Sequence, residues 1–209
     1  MNVSMRERRA VAELIASAAL LLTLAVSFPA QAHVGQDDIA GGLVVGFLHP
    51  IFGFDHVVAM VAVGIWGAQL GRPAIWVLPV TFPLVMALGG VLGILGVPIP
   101  GVEIGVAASA IVLGAMIAFA VRPPLVVSGL IVAVFAIFHG YAHGAELPES
   151  ASAVSYAFGF VVATGMLHAI GILIGTIKRW SWGPALLRVA GALIALVGVW
   201  FLLPHLTGG

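Results

Sequence analysis

Apolar residues fill this chain in long runs, and polar positions fall between the runs rather than alternating with them. No two-residue period marks a strand. A run of about 20 apolar residues is instead what a helix needs to cross a bilayer. Six such runs follow position 32, near 50–70, 74–96, 101–121, 124–145, 151–177 and 184–203, with breaks of Gly, Pro or charge between them. The pattern predicts an all-α membrane protein, a six-span helical bundle. One further apolar stretch, 39–48, is too short to cross and runs into His49-Pro50-Ile51-Phe52-Gly53. Pro removes a backbone donor and Gly loosens the helix, so a broken or re-entrant half-helix is expected before the first span. Broken backbone persists at membrane depth only where it lines a cavity or is covered by protein, which hints at a site.

Ahead of the spans, Arg6, Arg8 and Arg9 precede an apolar run from Leu14 to Phe28 that ends in Pro29-Ala30-Gln31-Ala32. That order is the pattern of a cleavable signal peptide, the alternative being a retained first span. Cleavage after Ala32 divides the chain into a signal, 1–32, and a polytopic transmembrane domain, 33–209. It would also make His33 the N-terminus, with an amine and an imidazole on one residue able to chelate a metal.

Composition narrows the function. With 62% hydrophobic residues, 8% charged and a mean hydropathy of +1.20, the chain has too little charge for a water-facing surface. Net charge is zero and no basic block exists to neutralise phosphates, so no nucleic acid partner is expected. The lipid bilayer is the expected surrounding. The absence of cysteine excludes disulfides, thiolate metal sites and iron–sulfur chemistry, leaving His, Asp, Glu and Met as metal ligands. No P-loop, H-E-x-x-H or G-x-S-x-G motif occurs, and the histidines are too few for a di-iron enzyme, so no enzymatic activity is expected.

Charge also sets the orientation. Arg72, Arg122, Lys178, Arg179 and Arg188 fall at one set of span ends; Asp37, Asp38, Glu103, Glu146 and Glu149 fall at the other. The positive-inside rule makes the basic loops cytoplasmic, with both ends of the mature chain periplasmic in a multi-pass inner-membrane protein. Trp66, Trp76, Trp180, Trp182 and Trp200 lie near span ends, as interface anchors do. Glycines spaced near i, i+4 (Gly89, Gly90, Gly93 and Gly96; Gly171 and Gly175) thin helix faces for close packing.

Ionisable groups in hydrocarbon cost roughly 2.5–3.5 kcal/mol each on insertion scales, so each needs a reason. Two clusters stand out. In His49-Pro50-Ile51-Phe52-Gly53-Phe54-Asp55-His56 an unbroken helix would hold the two histidines about 10 Å apart by rise, too far to share one ion. A break at Pro50 and Gly53 would fold His49 toward Asp55 and His56. Asp55 would then be a ligand or would orient an imidazole. The alternative is that Asp55 and His56 satisfy backbone freed at the break.

In Phe138-His139-Gly140-Tyr141-Ala142-His143-Gly144-Ala145-Glu146, the residues His139, His143 and Glu146 lie on one helical stripe. Imidazoles one turn apart chelate, and a carboxylate lowers the cost of a dication in a dry site. The alternative is two histidines hydrogen-bonded to neighbouring helices. Gly140 and Gly144 would let a neighbouring helix come close. Single residues elsewhere join as candidates beside their rival readings: Glu103 as a ligand or a solvated helix N-terminal acid, and His168 as a lower relay site or a satisfied core histidine. Met60, Met86 and Met166 read as packing residues, and His205, after Pro204 in the tail, as simply exposed.

Both motifs resemble those of the HupE/UreJ family of nickel permeases, H-x5-D-H in the first mature span and F-H-G-x-A-H-G-x-E in a later one. His49, Asp55 and His56 fill the first, and Phe138 through Glu146 the second. The likeness extends over the mature chain, including Ala62-Val63-Gly64, Pro98-Ile99-Pro100-Gly101-Val102-Glu103 and Ala163-Thr164-Gly165-Met166-Leu167-His168. It implies a secondary or passive permease that imports nickel or cobalt for enzymes such as hydrogenase or urease. Ni2+ would be its transported substrate and no cofactor would be tightly bound. Chemistry alone gives a His/carboxylate site for a divalent transition metal, which leaves zinc, copper, or a non-transporting metal-binding accessory protein as alternatives. A homo-oligomer is compatible with the sequence.

Overall fold

A computed structural model describes residues 39–147 and 152–207. The expected signal peptide and His33 lie outside the described residues, as do Asp37, Asp38 and Glu149. Among those described, the regular elements are helices: α1 Ile39–Phe52, α2 Phe54–Leu70, α3 Ala74–Ile94, α4 Val102–Ala118, α5 Leu125–Ala145, α6 Ala153–Gly175, a 3-10 turn Thr176–Arg179, and α7 Gly183–Thr207.

Four helices, α3, α5, α6 with its 3-10 turn, and α7, are long and apolar enough to cross a membrane. The bent pair α1–α2 adds a fifth if counted as one span. Helix α4, with 17 residues, is shorter than its expected span at 101–121, because the chain turns at Phe119 and Ala120. At 1.5 Å per residue it covers about 26 Å, just under a hydrocarbon core of about 30 Å.

The predicted half-helix is present, but its break is simpler than expected. Helix α1 continues through Pro50 and stops at Phe52; Gly53 alone is non-helical (φ −75°, ψ 99°), and α2 leaves at 78° to α1. Pro50 lies in the last turn of α1, where it leaves the Gly46 carbonyl without its helical donor, and the helix stops two residues later.

Helix α2 forms the centre, with Ala59, Met60, Ala62, Val63 and Trp66 wholly buried. It packs on α6, α4 and α3, while α3 pairs with α5, α4 with α7, and α1 with α6. Glycine permits these contacts. A Cβ on Gly140 would sit 1.9 Å from the Met86 carbonyl oxygen, and one on Gly89 2.3 Å from that of Ile137. The expected face at Gly89, Gly90 and Gly93 is therefore a real seam, whereas Gly96 belongs to the turn after α3, with φ +65°. Leu84, Leu88, Leu130, Leu193 and Leu196 point outward, as in helices surrounded by hydrocarbon.

The two ends of the bundle differ in charge. Asp55 and Glu103 occupy the first turns of α2 and α4 at one end, with Glu146 closing α5 beside them. At the other end basic groups cap helix C-termini: Lys178 Nζ donates to the carbonyls of Ala68 and Gln69, and Arg188 Nε to that of Ala118 at 2.9 Å. Trp66 departs from its expected role as an interface anchor. It is fully buried at this end and donates its Nε1–H to Val121 O at 3.2 Å, since its position on α2 faces the core. Trp76 and Trp200 are exposed, as anchors should be.

Candidate metal site

Three helices converge at the acidic end. Gly46 and Gly159 interlock α1 with α6: a Cβ on either would lie 2.1 or 2.2 Å from a backbone oxygen of the other helix. His49, three residues beyond Gly46, is thereby laid against Tyr156 and Phe160 and onto His143, ring centroids 4.7 Å apart. The bend at Gly53 turns α2 back so that His56 approaches His49 (6.4 Å), His143 (4.3 Å) and His139 (5.1 Å). On α5 the Phe138 ring fills the notch left by Gly105 of α4, which fixes the register that presents His139 and His143.

The protonation pattern follows from the partners. Asp55 Oδ1 stands 2.7 Å from His56 Nδ1; a carboxylate only accepts, so Nδ1–H donates, and in the neutral ring Nε2 is the atom that carries the lone pair. His139 Nδ1 donates in the same way to Phe135 O at 2.9 Å. His56 Nε2, His139 Nε2 and both nitrogens of His143 are buried with no hydrogen-bond partner among the described residues. Buried polar atoms without partners are costly, and these four lie in one place.

Carboxylate and imidazole also meet at the rim. His49 Nε2 and Glu146 Oε2 are 3.8 Å apart, and one ligand atom each from His49, His143 and Glu146 lie within 4.8 Å of one another. Ligands at about 2.1 Å in a tetrahedral site lie about 3.4 Å apart, so the widest pair would have to close by up to about 1.4 Å for the trio to hold one metal. Exposure falls inward, from Glu146 (64%) through His49 (32%) to His139 (0%). Beside His143, an apolar crevice of about 360 Å3 between α3, α5 and α6 is lined by Met86, Tyr156 and Phe160.

Thus His49, Asp55, His56, His139, His143 and Glu146, chosen from two sequence clusters, meet in one place. Asp55 contacts an imidazole, which favours its orienting role. Glu103 shares a cavity at the rim with Asp55, His56 and Glu146, while His168 stands apart. Glu103 opens α4 at the rim, 3.9 Å from His205. His168 is buried in α6, and Phe82 lies between it and His139, its ring 5.4 Å from each. Met60 and Met86 are buried packing residues and Met166 is exposed. Phe82, Tyr156 and His205 were not legible as site neighbours; the first two are ordinary residues of apolar runs, and His205 had no motif around it.

Comparison with known proteins identifies the family. The family described as HupE / UreJ protein matches residues 20–201. Protein HupE of Rhizobium leguminosarum bv. viciae is 44% identical over 178 residues, covering 85% of this chain and 92% of that protein. No solved structure matches. An all-helical membrane chain whose histidine clusters converge at one end, matched over nearly all its length, belongs to the HupE/UreJ family.

Proposed function

We propose that this chain is a permease that brings a divalent transition metal, nickel or cobalt, into the cytoplasm through the histidine cluster. The observation that carries the reading is the set of four buried imidazole nitrogens without partners, on His56, His139 and His143, beside the His49–Glu146 pair. Neutral imidazole with carboxylate is the donor set for such ions, and the graded burial lets an ion exchange water for protein ligands stepwise. Family membership favours nickel.

In this reading the acidic end is periplasmic and the basic end cytoplasmic, the signal is removed after Ala32, and the protein resides in the inner membrane. Asp55 holds His56 in its ligating tautomer. The ion passes from Glu146 and His49 to His143, His56 and His139. His168, which lies against the Pro79 carbonyl, is a second station reached when Phe82 moves aside.

Reconstituted in liposomes, the purified chain should take up labelled nickel, with cobalt, zinc and copper tested in parallel. His143→Ala should abolish uptake while leaving the amount of inserted protein unchanged. Metal binding without uptake by the wild-type chain would make it an accessory metal-binding protein instead.

A further inference from the structure

The C-terminal turns of α7 reach the same end of the bundle as the histidine cluster. Phe201 packs edge-on against Phe54 at the start of α2, ring centroids 6.0 Å apart. His205, one turn later on the same face, is thereby carried over the N-terminus of α4. Its Nδ1 lies 3.9 Å from Glu103 Oε2, too long for a hydrogen bond and about half an ångström wider than two tetrahedral ligands of one ion, a gap that a small side-chain shift closes. As a bare surface ion pair this contact would be worth little.

What lies beneath it changes that. A cavity of about 170 Å3 is lined by Glu103 and His205 together with Asp55, His56 and Glu146. His56 is 7% exposed, and its Nε2, buried and unpartnered, belongs also to the inner cluster. The cavity therefore joins an exposed imidazole–carboxylate pair (His205 37%, Glu103 79%) to His56 of the inner cluster.

We propose that His205 and Glu103 form a capture site, distinct from the inner cluster, that takes a partly hydrated divalent cation at the mouth and passes it to Glu146 and His56. The inference rests on the permease reading for the direction of passage, but not for the binding itself. Half-exposed ligands suit such a role because the ion keeps several waters, so it is held without the cost of full dehydration and released readily. The site acts on affinity at low metal rather than on the inner transfer.

Two measurements on the full chain test it. In liposomes, His205→Ala should raise the nickel concentration for half-maximal uptake about tenfold, in the range for removing a group that supports a metal site, with a smaller change in maximal rate. His205→Asp, which returns an oxygen ligand, should recover most of the loss. Separately, diethylpyrocarbonate modification of His205, read by mass spectrometry, should be slowed by nickel in the His143→Ala chain, whose inner cluster is broken. That protection should disappear when Glu103→Gln is added. Unchanged half-saturation in His205→Ala, or equal modification of His205 with and without nickel, overturns the capture site. If protection is seen but the wild-type chain moves no nickel, the permease reading fails and the capture site stands.

Discussion

Replacing Gly53 with alanine probes how the bend in the first helix pair serves the imidazoles. The backbone there (φ −75°, ψ 99°) is open to any L-residue, so the substitution carries no conformational penalty of its own. The added Cβ, however, would lie 2.9 Å from His56 Nδ1, where ordinary contact begins near 3.4 Å. The imidazole must retreat by about half an ångström, and the nitrogen displaced is the one held 2.7 Å from Asp55. A hydrogen bond to a charged group is worth about 1.5–3 kcal/mol, which corresponds to a loss of roughly tenfold to a hundredfold in metal affinity. Nickel uptake by proteoliposomes, measured as initial rate against concentration, should show a higher half-saturation for Gly53→Ala at unchanged protein density. The cycle with Asp55→Ala isolates the cause, because once no acceptor at position 55 orients His56 the alanine at position 53 should add little. Full activity of Gly53→Ala, or losses that simply add in the double variant, would refute the reasoning.

Two further substitutions separate packing from passage. Gly140→Val places its side chain against the Met86 carbonyl, 1.9 Å from the Cβ position, so α3 and α5 must part; a loss of at least about 1–3 kcal/mol is expected, visible as a lower unfolding temperature in detergent. His168→Leu removes a buried imidazole that lies against the Pro79 carbonyl, an acceptor that Pro83 leaves unpaired, so stability should fall by no more than about 1.5 kcal/mol while nickel uptake falls severalfold. A stable variant with normal uptake takes His168 off the route.

The helices were legible because lipid demands long uniform apolar runs, and the edges of α2, α3 and α5 fall close to where those runs stop. Helix α4 came out shorter than its run, since Phe119–Val121 are apolar without being helical and hydropathy does not distinguish the two. The same insensitivity placed Trp66 at an interface when its rotation about α2 buries it. Within the site, the stripe of His139 and His143 followed from helical spacing, and the Pro-Gly break announced that His49 need not extend away from His56. Which helices would face one another was beyond the sequence, because helices apolar on all sides carry no stripe to orient them. For that reason Phe82 and His205, which take part only through the meeting of distant helices, left no local signal.

His49 and His56 precede their partners on α5 by several whole helices. While the chain is being made, α1 and α2 must therefore enter the bilayer carrying imidazoles whose neighbours do not yet exist. Until α5 arrives, Asp55 is the one group close at hand to steady His56. The imidazole cluster is thus completed late in biogenesis, and a chain truncated before α5 would leave bare polar side chains in lipid, a feature that marks it for quality-control proteases.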